Sequence, residues 1–443
     1  MARTRTYIPL NVFLNGRLVG RLTKEPGGAI HFVYHQSWLT WENALPVSLS
    51  LPLREDQYAG RAVAAVFENL LPDSEEIRHR LAARVKAEGS DAYSLLTALG
   101  RDCVGALQFL PDGLESGPVG QLEGRRLSDK EIAAILGDLN KTPLGVTDER
   151  EFRISLAGAQ EKTALLLWKD KWHIPHGSTA TTHILKPQIG ARGNIDLSQS
   201  VENEHLCMKL TAGIGLPTAR TEIADFGGRR ALVVERFDRR WTRDRRLLRL
   251  PQEDCCQALS VPPTLKYQAD GGPGMVDILK LLMGSDDPEA DRRNFMKAQI
   301  VFWLLGATDG HAKNFSIFLS PAGRFQMTPL YDVMSAQPAV DAGQMRRNRM
   351  KLALAVGKNN HYVIDTIMPR HFIQTGEAAG MPASLTQDIM SELVARAPAA
   401  VETTRQELSA SFPEVILHSI GSGMLHRLRR LKSVDAAAGS TKD

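Results

Sequence analysis

The residues with the clearest chemical potential lie in one short polar segment, 308–314, which follows an apolar stretch. Asp309 and Asn314 have the spacing of the aspartate and asparagine in the protein-kinase catalytic loop, where the aspartate accepts the substrate hydroxyl proton and the asparagine binds Mg²⁺. His311 also matches the histidine of the D-R-H-x-x-N loop of lipid kinases, and Lys313 could neutralise phosphate charge. The spacing alone is weak, because any solvated loop could match it, but the residue types indicate phosphoryl transfer.

A second acid follows this segment. Asp332 comes after apolar residues, eighteen positions beyond Asn314 (332 − 314), where a kinase fold offers its second metal-binding carboxylate. Carboxylate and amide oxygens are hard ligands of the kind that Mg²⁺ prefers. We therefore predict a magnesium site formed by Asn314 and Asp332, with Asp332 at the end of a short strand. The alternative is an aspartate that caps a turn.

A loop of small residues lies upstream, between two strand-like segments, and could present backbone N–H groups to phosphates. A Walker A motif would need glycine at positions 156 and 161, where the chain has Leu156 and Glu161, so a P-loop NTPase is disfavoured. We expect a β-hairpin lid over ATP, and the alternative is a plain hairpin turn. The candidate phosphate-binding residues are Ala157, Gly158, Ala159, Gln160, Glu161 and Lys162.

Two strands follow the loop. Lys186 ends the first, at the place where kinases carry a phosphate-pairing lysine, although a strand-end lysine is often simply solvated. Its acidic partner would come from a predicted helix over 196–210, which contains Glu202 and Glu204, and we favour Glu204. The second strand, 231–235, runs into Glu235, Arg236 and Phe237, where the adenine-binding hinge of a kinase would lie.

Other elements must position these residues. Asn15-Gly16 indicates a β-hairpin with a type I′ turn, and 30–34 is a further strand. Helices are predicted over 60–69, 75–87 and 127–139, and the apolar run 300–307 would end a buried helix. Glycine and proline mark a break at 111–120.

Composition limits the protein class. The chain has 443 residues, a formal net charge of +4 and a hydrophobic fraction of 43%, which excludes global disorder and suits about two or three globular domains. Four cysteines without a C-x-x-C pair predict free thiols in a reducing compartment and no structural metal site. The first residues lack a secretory signal, and no apolar run is long enough to cross a bilayer. We therefore expect a cytoplasmic protein that does not engage a membrane.

Arginine is clustered, with seven arginines between positions 236 and 249 and further basic stretches at 346–351 and 427–432. A solvated face is the favoured interpretation of each stretch. The sequence has no helix-turn-helix, zinc or RNA-binding signature beside them.

Together, these segments resemble the HipA family, the kinase toxins of bacterial toxin–antitoxin pairs. The matching segments are 155–163, 235–240, 252–254, 271–274, 308–315 and 331–332. The resemblance implies an α+β fold, in which a small N-terminal α/β domain precedes a bilobal kinase-like domain, related to PI3/4-kinases, with a mostly helical C-lobe. It implies ATP and Mg²⁺ as cofactors, Asp309 as catalytic base, Asn314 and Asp332 as metal ligands, and autophosphorylation at Ser155. The ATP-binding residues that it implies are 157–162, Lys186, Glu235, Arg236, Phe237, His311, Lys313, Asn314, Tyr331 and Asp332.

The resemblance also implies a division of the chain. The expected parts are an N-terminal subdomain at 1–110, a linker and connecting helix at 111–145, a kinase-like domain at 146–435 (N-lobe about 146–250, C-lobe about 251–435) and a flexible tail at 436–443.

Family members phosphorylate an aminoacyl-tRNA synthetase, notably glutamyl-tRNA synthetase, and thereby inhibit translation and promote growth arrest. The resemblance further implies a HipB-like helix-turn-helix antitoxin that contacts operator DNA, with the kinase as corepressor. The segment 375–381 contains Glu377 and no basic residue, which argues against direct DNA contact there. Two alternatives stay open: a small-molecule or lipid kinase on the same fold, and a non-enzymatic corepressor.

Overall fold

The computed structural model describes residues 7–145, 154–158 and 160–439, with 432–439 as backbone only. The chain divides into two compact units. The first contains Met1–Pro187, Ala224–Thr264 and Ser316–Phe325, and the second contains Gln188–Ile223, Leu265–Phe315 and Gln326–Asp443.

The first unit begins with a five-stranded antiparallel sheet. Asn15 and Gly16 have φ angles of 45° and 81°, as a type I′ turn requires, so the predicted hairpin is confirmed. Phe67 of the following helix packs between Phe32 and Phe109 of the sheet, with ring centroids 5.8 and 5.6 Å away. In spatial order the strands are Tyr58–Ala59, Ile30–Tyr34, Arg17–Lys24, Leu10–Leu14 and Leu107–Pro111. The helices of this part are Gln36–Leu39, Arg61–Glu68, Glu75–Arg84 and Ala92–Leu99.

Helix starts in this unit follow local capping rules. The side chain of Ser74 accepts a hydrogen bond from the Ile77 N–H, which starts the helix Glu75–Arg84. Ser128 and Glu131 form a capping box that starts the helix Asp129–Gly137. The first of these helices ends at Arg84, three residues before the predicted position 87, because Val85 already leaves the helical conformation.

A six-stranded sheet carries the predicted lysine and hinge. The strands His183–Pro187 and Arg229–Glu235 are antiparallel neighbours, with Lys186 opposite Leu232 and Glu235 opposite His183. In spatial order the six strands are Thr221–Phe226, Arg229–Glu235, His183–Pro187, Thr163–Trp168, Lys171–Pro175 and Gly124–Arg126.

Short elements complete this part of the chain. They are the hairpin Arg239–Trp241 with Leu247–Arg249, the sheet Gln252–Asp254, Ser316–Leu319 and Phe325–Met327, the helix Cys255–Ala258, and the 3₁₀ turns Pro263–Leu265 and Pro321–Gly323.

The second unit is mostly helical. The helix Pro288–Leu305 is buried from Phe295 onwards. The Asp287 side chain caps its N-terminus by accepting a hydrogen bond from a main-chain N–H of the first turn. The helix ends at Gly306, whose φ of 71° is favourable for glycine. The other helices are Ser200–Gly213, Met275–Leu281, Gln337–Asp341, Pro369–Ala378, Ala383–Glu407 and Glu414–Gly439. This unit also contains two β-hairpins, which are Gly190–Arg192 with Ile195–Leu197 and Lys351–Val356 with His361–Val363. Its 3₁₀ turns are Gln268–Asp270, Leu282–Gly284, Ala312–Asn314, Arg347–Arg349 and Ile364–Thr366.

The structure corrects two local expectations. The helix predicted over 196–210 runs from Ser200 to Gly213, because the preceding residues Ile195–Leu197 form a strand. The residues directly before Asp332, which the structure describes, do not form the predicted strand. Leu330 makes only one isolated β-bridge, to Thr218. The final helix continues to Gly439. The flexibility of 436–443 stays a prediction, and 440–443 lie outside the described residues.

The loop around Ser155 is also not the expected hairpin. Ile154 forms a parallel bridge with Asp102, and Gly158 forms one with Pro72. The described loop residues therefore pair with earlier parts of the chain instead of with the strand Thr163–Trp168. The predicted domain boundaries stay a prediction. None of the helices in the described ranges is long and apolar enough to span a membrane.

Candidate active site

The segment that carries Asp309 leaves the buried helix Pro288–Leu305 and is pressed against it. A Cβ atom on Gly310 would lie 2.4 Å from the ring of Phe302, so only glycine fits this close approach. The segment then closes into the 3₁₀ turn Ala312–Asn314. The polar residues of the loop are therefore held on a rigid support.

The Asp309 carboxylate is accessible but oriented. Its side chain is 60% exposed. The Tyr267 hydroxyl donates a hydrogen bond to its Oδ1 atom at 2.6 Å, and His311 Nε2 lies 4.0 Å from the same oxygen. The ring of His311 packs edge-on against Tyr267, with centroids 4.9 Å apart. This arrangement suits a base that must meet an incoming hydroxyl.

Asn314 is positioned by the backbone of Asp309. Its Nδ2 donates to the Asp309 carbonyl at 2.7 Å, and the N–H of His311 donates to the same oxygen at 2.9 Å. Because the amide nitrogen is engaged in this bond, the amide oxygen is the atom that Asn314 can offer to a cation. The conformation of this one loop therefore fixes the positions of Asp309 and Asn314 relative to each other.

Tyr331 and Asp332 directly follow Leu330, whose main chain is fixed by two hydrogen bonds of 2.8 Å. The Leu330 carbonyl accepts from the Ala219 N–H, and the Leu330 N–H donates to the Pro217 carbonyl. The Tyr331 hydroxyl donates to the carbonyl of Lys313 at 2.8 Å and so braces the catalytic loop. Asp332 has φ of 61°, a left-handed conformation that is unfavourable for most residues and is often found at functional sites.

Ser155 is fully buried in the first unit. Its hydroxyl donates to the Leu70 carbonyl at 2.8 Å, and its N–H donates to the Asp102 carbonyl at 3.0 Å. The predicted autophosphorylation site is therefore enclosed in this conformation of the loop.

The rest of the phosphate loop combines a tight turn with a buried lysine. Gly158 has φ of 103°, and a Cβ atom there would lie 2.5 Å from Lys162 Nζ. Gln160 Nε2 donates to the Pro187 carbonyl at 3.4 Å, and Glu161 forms a 2.6 Å ion pair with Arg80. The glycine therefore lets the Lys162 ammonium group approach the main chain closely, which places a cation inside the loop. Ala157 lies half-buried in this loop, and Ala159 lies outside the described residues.

Lys186 is 7% exposed, and Glu202 and Glu204 are also buried. Glu202 accepts a hydrogen bond from Gln188 Nε2 at 2.7 Å. Lys186 and Glu204 belong to different units, so their predicted pairing stays a prediction. In the hinge segment, Glu235 is exposed and the half-buried ring of Phe237 packs edge-on against Phe318 at 5.8 Å.

The arginine-rich segment is only partly a solvated face. Four arginines are exposed, namely Arg240, Arg243, Arg245 and Arg246. The other three, Arg236, Arg239 and Arg249, are buried in ion pairs with Asp102 or Asp238, so the solvated interpretation is wrong for them. The guanidinium of Arg236, a predicted ATP contact, is committed to this cluster.

The second basic stretch, 346–351, exposes its arginines and lysine, in agreement with a solvated face. In the third, Arg427 is buried and donates to the Leu304 carbonyl at 2.8 Å and to Gln337 Oε1 at 2.7 Å, so the solvated interpretation is wrong for this residue. Arg429 is exposed, in agreement with that interpretation.

Sequence reasoning missed Tyr267. It lies 42 residues before Asp309, outside every motif that was considered. The one available signal was its position shortly before the glycine-rich segment 271–274, in which a Cβ atom on Gly272 would lie 1.8 Å from the Leu265 carbonyl oxygen. That tight turn fixes the path of the chain around Tyr267.

Comparisons with known proteins identify the family of the chain. The family model of the HipA-like C-terminal domain matches residues 154–401, and that of the HipA N-terminal domain matches residues 10–110. The Y4mE protein of Sinorhizobium fredii, which carries a provisional kinase name, is 38% identical over 353 residues, 79% of this chain and 81% of Y4mE. The serine/threonine-protein kinase toxin HipA of Shewanella oneidensis is 27% identical over 413 residues, 90% of this chain and 89% of that protein.

A solved complex of HipA, HipB and operator DNA from Shewanella oneidensis contains a chain with a TM-score of 0.79 and 24% identity, covering 95% of this chain and 97% of that one. This likeness shows the fold, so the predicted α+β class is confirmed. Because the C-terminal family model alone spans more than half of the 443 residues, the chain belongs to the HipA family of serine/threonine kinase toxins.

Proposed function

We propose that the chain is an ATP-dependent kinase that transfers the γ-phosphate to serine or threonine hydroxyls of proteins. The observation that carries the proposal is the Asp309 carboxylate, which is 60% exposed on a rigid loop and oriented by a hydrogen bond from Tyr267. An accessible, fixed carboxylate can align a hydroxyl and accept its proton as the phosphoryl group is transferred. The membership of the chain in a kinase family supports this role.

Asn314 and Asp332 fit a magnesium ion. The Asn314 amide nitrogen is held by the Asp309 carbonyl, so its oxygen and the Asp332 carboxylate provide the hard, partial ligand set that Mg²⁺ takes beside phosphates and water. Bound Mg²⁺ would neutralise charge on the ATP phosphates. Lys313 adds a buried positive charge to the same loop.

The nucleotide contacts are proposed for the first unit. The Lys162 ammonium group, which the missing side chain of Gly158 allows into the loop, would neutralise charge on phosphate oxygens. Backbone groups near Glu235 and the ring of Phe237 would meet the adenine, and Lys186 would pair with phosphate. For Arg236 we propose only a supporting role, since its side chain is engaged in the ion cluster.

We also propose that the kinase inhibits itself through Ser155. The enclosed hydroxyl has to leave its place beside the Leu70 carbonyl before it can receive a phosphate. A phosphoserine carries about −1.5 to −2 charges and cannot return to a buried position that faces a carbonyl oxygen. Phosphorylation would therefore hold the loop outside and remove part of the ATP site.

For the cellular role we propose that the chain phosphorylates an aminoacyl-tRNA synthetase such as glutamyl-tRNA synthetase. We further propose that it binds a HipB-like antitoxin and, through that antitoxin, operator DNA. The supporting observations are the family membership and the fold likeness to a HipA that was solved with HipB and operator DNA.

Phosphotransfer to purified candidates tests this proposal. The protein is incubated with radiolabelled ATP and Mg²⁺, together with glutamyl-tRNA synthetase or the lysate of its host, and Asp309→Asn serves as the matched control. We expect label on a protein serine with the wild type and none with the variant. Label only on a lipid or small alcohol would favour the alternative kinase class. Tight antitoxin binding without any ATP-dependent label would favour the corepressor.

A further inference from the structure

The first unit contains a buried ion cluster that the proposed chemistry does not use. The side chain of Asp102 is 2% exposed and accepts five hydrogen bonds. Its Oδ1 accepts from Arg239 Nη2 at 2.8 Å and from Arg249 Nε at 2.9 Å. Its Oδ2 accepts from the N–H and hydroxyl of Thr181 at 3.0 and 2.8 Å and from Arg236 Nη1 at 3.3 Å.

A second carboxylate completes the cluster. Asp238 accepts from Arg236 Nε and Nη2 at 3.0 and 2.8 Å, and from Arg239 Nη1 at 2.9 Å. Although burial alone would raise it, the pKa of Asp102 is held well below its usual range by the three arginines. Burial and the neighbouring Arg236 lower the pKa of Arg239 to about 10. Arg236 and Arg239 likewise lower the pKa of the buried Asp238 against the effect of burial. Three guanidinium groups against two carboxylates give the cluster an excess positive charge.

The arginines fix the path of the segment 101–105, which has neither helix nor continuous strand to support it. The Cys103 carbonyl accepts from Arg236 Nη2 and Arg239 Nη2, both at 2.9 Å. The Gly105 carbonyl accepts from Arg239 Nη1 at 2.9 Å. Guanidinium groups thus supply the donors that a neighbouring strand would otherwise supply.

The same segment carries the Ser155 loop on its other side. The carbonyl of Asp102 accepts the N–H of Ser155 at 3.0 Å, and Asp102 forms the parallel bridge with Ile154. On the opposite side, the loop pairs with Pro72 and Leu70. The loop is therefore inserted between two segments, and one of them keeps its shape through the ion cluster.

We infer that Asp102 is a positioning residue, whose charge cluster holds the Ser155 loop in its inserted, nucleotide-accepting place. The inference rests on the proposed function in one respect, because it assigns a consequence for ATP binding. When the ion cluster is weakened, the segment 101–105 loses its conformation, and the Ser155 loop leaves its inserted position more often. ATP then binds only the fraction of molecules in which the loop is inserted, so the apparent KM rises while kcat is kept.

The test combines hydrogen exchange with kinetics on the full chain. Asp102→Asn keeps the side-chain shape and removes the charge. We expect amide exchange in the peptide that contains Ser155 to become about tenfold faster, corresponding to a loss of about 1.4 kcal/mol, and the KM for ATP to rise by the factor by which the inserted fraction falls. Exchange in the strand Leu10–Leu14 should stay at the wild-type rate. Arg243→Met removes an exposed arginine of the same arginine-rich segment and is the matched control, expected to change neither quantity.

A milder variant covers the case in which Asp102→Asn does not fold. Thr181→Val removes one donor to Asp102 and one acceptor of Arg236 Nη1, with little change in volume, and should accelerate loop exchange by a smaller factor. The inference is overturned if amide exchange in the Ser155 loop is unchanged. It is also overturned if exchange in the loop and in the strand Leu10–Leu14 becomes faster by the same factor, because a purely structural cluster would lower overall stability without affecting the loop selectively. Exchange is measured without nucleotide. Loss of the proposed kinase activity would therefore leave the loop result standing, and the two failures are distinguishable.

Discussion

The hydrogen bond from Tyr267 to Asp309 provides a quantitative prediction about catalysis. Tyr267→Phe removes the hydroxyl and keeps the ring, so the edge-on packing against His311 is retained. The Asp309 carboxylate then loses this donor and is held less firmly in the direction in which it would receive a substrate hydroxyl.

The size of the effect follows from the exposure of the pair. A hydrogen bond to a charged group contributes about 1.5–3 kcal/mol when it is well shielded. Because the Asp309 side chain is 60% exposed, water replaces part of the lost bond, and we expect about 1.4 kcal/mol. This corresponds to a decrease in kcat of about tenfold, since each 1.36 kcal/mol changes a rate by a factor of ten.

Initial rates of phosphate transfer from radiolabelled ATP, measured over a range of ATP concentrations, give kcat and KM separately. We expect kcat to fall while the KM for ATP stays within about twofold of the wild type, because Tyr267 acts on the base. Tyr93→Phe is the matched control: its hydroxyl donates to the Ile8 carbonyl at 2.5 Å within the first unit, and its removal should leave kcat unchanged. The reasoning would be refuted if Tyr267→Phe kept the wild-type kcat. It would also be refuted if the Tyr267→Phe and Tyr93→Phe variants slowed the reaction equally.

Three further changes have defined outcomes. Ser155→Ala removes the hydrogen bond to the Leu70 carbonyl, so the free energy of unfolding in a denaturant titration should fall by about 1–2 kcal/mol and the main phosphopeptide should disappear. Gly310→Ala places a methyl group against Phe302 and should lower stability by about 1–3 kcal/mol together with kcat. Burial raises the pKa of Glu253 to about 8 from its usual 4.5, so the folded state holds its proton more tightly and stability falls as pH rises between those values. Glu253→Gln should flatten the dependence of Tm on pH over this range, and an unchanged slope would contradict the assignment.

The features that could be predicted from the sequence are those that depend on neighbouring residues. Asn15-Gly16 specifies its own turn, and Ser128 and Glu131 specify the start of their helix. The interval between Asp309 and Asn314 is likewise contained in one loop, closed by a bond from the Asn314 side chain to the Asp309 carbonyl.

The features that could not be predicted depend on distant partners. Asp102 meets Arg236, Arg239 and Arg249 across 134 to 147 positions, and the sequence does not show that these arginines are buried while their exposed neighbours are not. Asp332 was expected at a strand end because apolar residues precede it. The actual partners of Leu330 are the main-chain groups of Pro217 and Ala219, which support a single bridge.

The central claim is that this chain transfers phosphate with Asp309 as its base, and autophosphorylation of the purified protein tests it most directly. The wild type and Asp309→Asn are incubated with ATP and Mg²⁺, and the modified residue is identified and quantified by mass spectrometry over time. We predict that phosphate accumulates on Ser155 in the wild type and is absent from the variant, whose loop and Tyr267 are otherwise intact. Accumulation at equal rates in both proteins would contradict the account.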